Sequence, residues 1–430
     1  MSLLKNILKN KVFSTFFNAG LYFSGSIIQA IVSLIMQPLY SKSLSANEFG
    51  IIGYYDAIKT FFFPLFIFGM TSIYLMNFFK QSEEENNKNL FNISFYLTLF
   101  NFVLSIITYG SIFLYFKFSN INIPLIPFAG IVLFNLIIDN IKSFVLINLR
   151  IRKKALTFFL VYSTQTILNG ILGYLLVIKF NYGIEGRMLA PLLSSLFLLP
   201  IFLTILKKYT IKDYSIKKFK GSMKKAIPLV LAGYAYVPII ASDRFFLEPL
   251  NNLSELGLYA IGLTIAGYIN LIFSALSSAF EPDIYKSVAT NNIKKLIKNS
   301  LYIFIPYLLI VGVYIIFSED IVSILTANKY MGAIKYANLI VIAVFFQGVF
   351  WFFDKIFIAL EKNKLKLIVT IITSTIGIFL MKYAIEYFNF IGAAYAKIII
   401  SILMALIAFI FVFIHINKKM KLSKLIHKKS

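Results

Sequence analysis

The segment IGAAYAKIIISILMALIAFIFVFIHI, residues 391–416, contains one charged side chain, Lys397, in 26 positions. A run of about 18 apolar residues already reads as a membrane-crossing helix. Working outward, apolar runs recur at 365–387, 331–359, 300–318, 255–281 and 226–249. Before these lie 187–206, 155–179, 124–148, 90–116, 48–78 and 13–40. Over the 430 residues, 59% are hydrophobic and 14% charged, where soluble domains carry about 25% charged residues. The chain is read as an all-α integral membrane protein with about 12 transmembrane helices and almost no soluble domain.

The net charge of +24 would suggest nucleic acid in a soluble protein. Here its distribution follows the tendency of Lys and Arg to gather in cytoplasmic loops. With the N-terminus inside, 30 of the 42 basic residues fall in inside segments, six outside and six within spans. The largest inside block runs from Lys207 to Lys225. Both termini are therefore expected in the cytoplasm, with no nucleic-acid partner. The apolar run after Val12 is too long for a signal-peptide core and is read as a retained first helix. Glu83-Glu84-Glu85 reads as a solvated loop, and the tail 417–430 as a basic segment attracted to anionic lipid.

The chain also repeats. Ser45-Ala46-Asn47-Glu48-Phe49-Gly50 precedes span two, and Asn252-Leu253-Ser254-Glu255-Leu256-Gly257 precedes span eight. Both read as an N-cap with Glu three residues on, the box that satisfies free amides at a helix start. Glu48 and Glu255 are 207 residues apart, and Gly186 and Gly392, each near the start of a half's last span, are 206 apart. Two six-span halves follow: an N-lobe at 1–206, a basic linker at 207–225, a C-lobe at 226–416 and a tail at 417–430. Such parallel repeats are an architecture of transporters.

Catalytic equipment is sparse. Cysteine is absent and the two histidines, His415 and His427, have no ligand partners at metal spacing. No phosphate-binding glycine loop is present, so neither an enzyme, a metal site nor a cofactor is expected. The informative residues are charges inside spans, each costing at least about 2.5 kcal/mol at the bilayer centre. Asp56 and Lys59 share a face of span two; Asn135, Asp139 and Lys142 share one of span four. Asp243 and Arg244 stand in span seven, Lys335 and Asp354 in span ten, and Lys397 in span twelve. Asp56–Lys59 and Asp139–Lys142 can be self-neutralising pairs within their helices. Alternatively, Lys59, Lys142, Arg244 and Lys397 line a cavity for an anionic head group, while carboxylates bind a coupling ion. Ser24, Ser26, Gln29, Ser33 and Gln37-Pro38 in span one, and Ser163 to Thr166 with Asn169 in span five, can line a path, although such residues commonly serve helix packing.

Several fragments then acquire a common meaning. Gln37-Pro38 with Leu44-Ser45-Ala46-Asn47-Glu48-Phe49-Gly50, Gly183-Ile184-Glu185-Gly186-Arg187, Ser242-Asp243-Arg244-Phe245, Glu255-Leu256-Gly257-Leu258-Tyr259 and Pro282-Asp283-Ile284-Tyr285 occur in order along nearly the whole chain. In these it resembles the polysaccharide transporters (Wzx-like flippases for O-antigen or capsule repeat units) of the multidrug/oligosaccharidyl-lipid/polysaccharide exporter (MOP) superfamily. The resemblance implies two six-helix lobes in a MATE-like V. The implied cargo is an undecaprenyl-pyrophosphate-linked oligosaccharide, moved across the bacterial plasma membrane by alternating access. Lys59, Lys142, Arg187, Arg244, Lys335 and Lys397 then become candidate cargo-binding residues, and Asp56, Asp139, Asp243 and Asp354 candidates for coupling to H+ or Na+. Membrane lipids and other polysaccharide-assembly membrane proteins are the implied partners. Export of drugs or small metabolites is the alternative for the same residues.

The absence of native cysteine makes the orientation directly testable. Lys117→Cys should react with a membrane-impermeant maleimide in intact cells, and Lys212→Cys only after permeabilisation; the reverse pattern would invert the topology.

Overall fold

The computed structural model describes residues 11–119 and 121–427, and the secondary structure among them is entirely helical. In chain order the helices are α1 (Lys11–Ser43), α2 (Ala46–Ile67), α3 (Met70–Phe78), α4 (Glu83–Ser119), α5 (Phe128–Ile151) and α6 (Ala155–Gly173), which runs on through a π turn at Tyr174–Lys179. There follow α7 (Gly183–Lys208), α8 (Ile216–Leu247), α9 (Leu253–Ala289), α10 (Ile293–Ile316), the short α11 (Ser318–Thr326), α12 (Ile334–Ala359) and α13 (Asn363–His427). Ten helices among the described residues are long and apolar enough to cross a membrane. The last of these, Lys364–Ile416, spans 53 residues and is broken at Asn389 (φ 51°, ψ −137°), so it supplies two crossings. With α1, 33 residues long, the twelve expected helices are accounted for.

The chain divides into two compact units. The first holds Met1–Leu44 and Tyr55–Gly233; the second holds Ser45–Tyr54 and Tyr234–Ser430. In the first, α1 packs on α6, and α5 on α4 and α7. Its core gathers Tyr74, Leu97, Phe144 and Phe202, all nearly inaccessible. In the second, α12 packs on α9 and α13. There Gly348 lets the rings of Phe273 and Tyr307 approach, since a Cβ on it would stand 2.9 Å from Tyr307 and 3.0 Å from Phe273.

Local chemistry explains the element starts. Ser45 closes the expected box on α2: its N–H and hydroxyl donate to Glu48 (2.7 and 2.8 Å), and the Glu48 N–H donates to the Ser45 hydroxyl (3.3 Å). Asn252 caps α9 by accepting the Glu255 N–H at 3.0 Å, but Glu255 turns its carboxylate to Lys335 and Tyr336. The repeat-related glycines at these starts meet within the second unit. A Cβ on Gly257 would overlap the Ala46 carbonyl, and one on Gly50 the Leu253 carbonyl. Three residues on, a Cβ on Gly53 would lie 2.7 Å from that of Ala260. The second repeat pair is alike in kind: Gly186 abuts the Leu176 backbone and Gly392 the Ala384 carbonyl.

Several expectations need correction. The run 48–78 is two helices, broken where Phe68 (φ 46°) and Gly69 (φ 62°) take left-handed backbone. The break leaves the Phe66 carbonyl without its helical partner, and the buried amides of Asn101 (3.1 Å) and Asn140 (2.8 Å) both donate to it. Glu83-Glu84-Glu85 is not a loop but the first turn of α4, where acidic side chains suit the helix dipole; Glu83 also pairs with Arg152 at 2.9 Å. The linker 207–225 is helical from Ile216 onward. Its extended part is strapped to α4, with the Asn92 amide donating to the carbonyls of Asp213 (3.0 Å) and Ser215 (2.9 Å) and the Tyr96 hydroxyl to that of Tyr214 (2.6 Å). A hydrogen bond from Lys218 holds the Asp213 carboxyl below the usual carboxylate range.

Gly257→Leu should destabilise the protein by about 1–3 kcal/mol or more, the range of overpacked sites. Gly312→Ala, which meets open space, should leave the melting temperature in detergent nearly unchanged. Equal effects would contradict the close backbone approach.

Candidate functional site

In the first unit, α2 brings Lys59 against α5. The Lys59 ammonium donates to Asn135 Oδ1 (2.8 Å) and Asp139 Oδ2 (2.9 Å), and Lys142 donates to Asp139 Oδ1 at 2.6 Å. Asp139 Oδ1 and Oδ2 are therefore each held by a lysine. The expected i,i+3 pair Asp139–Lys142 forms, but Asp56–Lys59 does not. Lys59 reaches the neighbouring helix, and Asp56 is exposed. The group is one carboxylate with two cations, a net charge of +1.

Beside it opens a cavity of about 200 Å³ in which Lys59, Asn135, Asp139 and Lys142 face Gln165 and Asn169 of α6. Gln165 donates to Ser195 Oγ at 2.8 Å, and the Tyr162 hydroxyl donates to Gln29 Oε1. Each of these amides keeps a further donor or acceptor position after its internal bond.

The second unit builds a counterpart from other residues. Asp243 on α8 is fully inaccessible. Its Oδ2 accepts from Tyr259 (2.7 Å) and faces Lys397 Nζ at 3.0 Å, while Arg244 Nε approaches Oδ1 at 3.4 Å. Arg244 also donates to the Ile240 carbonyl at 2.7 Å. Again one carboxylate meets two cations. Lys397 opens on a cavity of about 150 Å³, which Asn270, Gln347 and Ser401 share with Ile239, Ala343 and Ile400.

The other expected residues lie elsewhere. Arg187 stands over the Tyr40 ring, 4.5 Å from its centroid, and belongs to neither cavity lining. Lys335 is half exposed and pairs with Glu255 at 2.6 Å. Asp354 pairs with Lys366 at 2.8 Å, and its Oδ1 is buried without a hydrogen-bond partner. Close by in sequence, Lys355 binds Glu281 at 2.8 Å. Among the described residues no group of three or more His, Cys, Asp or Glu could hold a metal ion.

Sequence reading overlooked two polar centres. Tyr259 stands in the first turns of α9, and its hydroxyl donates to Asp243 Oδ2. Arg152 stands in the turn after α5, yet its side chain is only 10% exposed. It donates to Asn148 (2.9 Å), Glu83 (2.9 Å) and Asn87 (2.6 Å) and lies over the rings of Phe78 and Tyr209. Apart from Asn148, four residues before it, its partners are distant in sequence, which no local pattern announces.

Removing one member of a buried ion pair costs about 3–5 kcal/mol, because the charge left behind is uncompensated. Asp243→Ala should therefore lower thermal stability in detergent strongly, and Asp56→Ala very little; comparable losses would contradict the burial difference.

No protein-family model matches the chain. Among curated proteins, an uncharacterised membrane protein of Haemophilus influenzae is 24% identical over 297 residues, covering 64% of this chain and 67% of its own. A product of the Lsg locus of the same organism is 23% identical over 343 residues, covering 76% of this chain and 80% of its own. Among solved structures, the lipid II flippase MurJ in an inward closed conformation matches with a TM-score of 0.71 at 19% identity, over 96% of this chain and 91% of that one. An inward-facing multidrug resistance MATE transporter of the MOP superfamily matches with a TM-score of 0.70 at 14% identity, over 92% and 99%. The protein is a multi-pass, all-α membrane protein with the fold shared by MATE transporters and the flippase MurJ.

Proposed function

We propose that this protein is a flippase that moves undecaprenyl-pyrophosphate-linked oligosaccharide repeat units across the bacterial plasma membrane by alternating access. The observation that carries the reading is the sign of the two clusters. In each unit a membrane-embedded carboxylate is outnumbered two to one by cations, around Asp139 and around Asp243. Holding charge at that depth is costly, so a surplus positive charge that serves only stability is hard to rationalise. A pyrophosphate supplies the missing negative charge and accepts charge-assisted hydrogen bonds, which are about twice as strong as neutral ones. The fold shared with a lipid II flippase supports the same reading.

Lys59 and Lys142 in the first unit, and Arg244 and Lys397 in the second, are the cations we assign to the cargo. Arg187 and Lys335 drop out, since one lies over an aromatic ring and the other pairs with Glu255. For coupling to H+ or Na+, Asp56 and Asp354 are the better placed carboxylates: Asp56 is exposed, and Asp354 Oδ1 has no hydrogen-bond partner. Asp139 and Asp243 already hold two lysines and a lysine with an arginine. A 100 mV potential supplies about 2.3 kcal/mol per charge moved, so an ion gradient can drive the cycle without ATP. The charge asymmetry of the loops puts both termini in the cytoplasm on this reading.

The test is leaflet translocation of a fluorescent polyprenyl-pyrophosphate sugar in proteoliposomes. The wild type should accelerate flipping, Lys142→Gln should reduce the rate about tenfold or more, the loss of one charge-assisted contact, and Lys335→Gln should leave it nearly unchanged. Absence of protein-dependent flipping, with efflux of a cationic drug instead, would overturn the reading in favour of a MATE-like exporter.

A further inference from the structure

The two cavities occupy repeat-equivalent places. Ser33 and Ile239, Ser194 and Ile400, and Ser195 and Ser401 are each 206 residues apart, and all six line one cavity or the other. Asn135 and Ala343, and Asp139 and Gln347, follow at a separation of 208. At three of these five pairs a polar side chain in the first unit becomes apolar in the second, Ser to Ile twice and Asn to Ala, while Ser195–Ser401 and Asp139–Gln347 stay polar. Gln347, which stands for Asp139, donates its amide to the Tyr236 hydroxyl at 2.8 Å.

Polar linings inside a membrane are costly to keep without a purpose. The first cavity nevertheless carries Gln29, Asn135, Gln165 and Asn169 together with Ser194 and Ser195. Internal bonds fix several of these groups in direction. Gln165 is held by Ser195, Asn135 by Lys59, and Gln29 by Tyr162. The side-chain oxygen of Asn169 is buried with no hydrogen-bond partner, an acceptor that awaits a donor. A planar amide offers a donor and an acceptor side by side, which matches neighbouring hydroxyls on a sugar ring. A pyrophosphate, an acceptor only, would leave the Asn169 oxygen unanswered. The volume of about 200 Å³ is below the roughly 300–1,000 Å³ of pockets for drug-sized ligands, and suits a single ring.

We propose that the cavity of the first unit is a saccharide subsite, which reads one sugar ring of the cargo through Gln165, Asn169 and Ser195, and that its counterpart in the second unit has no such role. This rests on the lipid-linked oligosaccharide reading above. Cargo selection by sugar then resides in one half of a duplicated chain, while both halves hold charge.

The experiment measures binding to the full chain in nanodiscs. The probes are bare undecaprenyl pyrophosphate and the same lipid carrying one N-acetylglucosamine, galactose or glucuronic acid. At least one glycosylated lipid should bind about tenfold more tightly than the bare lipid, as a few oriented hydrogen bonds provide. Gln165→Leu and the smaller change Ser195→Ala should erase that margin while the affinity for the bare lipid stays within about twofold. If the bare lipid binds and no sugar improves it, the subsite is overturned and the cargo reading stands. Equal loss of bare and glycosylated binding in both variants would also overturn the subsite, since the residues would then serve charge or folding. If no lipid pyrophosphate binds at all, the cargo reading fails and the subsite with it.

Discussion

The cost of keeping a charge inside a membrane governs how this molecule is built. A lone ionised side chain at the bilayer centre is penalised by at least about 2.5 kcal/mol, so such groups must find partners within protein. Here the partners come mostly from other helices. Lys59 leaves Asp56, one turn away, and crosses to Asn135 and Asp139. Lys397 crosses to Asp243, where Tyr259 supplies a further bond from a third helix. Each carboxylate thereby ties together helices that a purely apolar seam would leave free to slide. The same economy operates for uncharged groups: the Phe66 carbonyl, freed by the break at Phe68 and Gly69, is met by two buried asparagines.

The two halves solve this problem with different residues at different places. The first unit keeps its carboxylate on α5 and both cations on α2 and α5; the second keeps its carboxylate on α8, with cations on α8 and α13. Duplication preserved the backbone features, namely the capped starts of α2 and α9 and the glycines at 50, 257, 186 and 392. It did not preserve the polar side chains at 33, 135 and 194, whose counterparts are Ile239, Ala343 and Ile400. Backbone geometry is what a repeat must retain to close its fold, because a Cβ at those glycines would overlap neighbouring main chain. Side chains facing the cavities were free to diverge, and there the halves become unlike.

That contrast also explains what was legible in the sequence. The helix count and the capping residues are local: apolar run length and an Asn or Ser three positions before Glu suffice. The charged residues of interest were visible as exceptions within apolar runs. Their partners were not, because Lys59 and Asp139 are 80 residues apart and Lys397 and Asp243 are 154 apart. Nothing near Lys397 marks it as the partner of a carboxylate on α8, five helices earlier in the chain. The partners of Arg152 were hidden for the same reason: it stands in the turn after α5, and the rings beneath it are Phe78 and Tyr209. The break at Phe68 and Gly69 was concealed because hydropathy is continuous across it.

The central claim is that surplus buried positive charge serves an anionic cargo head group. It is tested most directly by comparing, in nanodiscs, the affinities of undecaprenyl pyrophosphate and neutral undecaprenol for the purified chain. Two or more charge-assisted hydrogen bonds predict a preference of about a hundredfold or more for the pyrophosphate, weakening as salt is raised. Equal affinity for the two lipids would contradict the account.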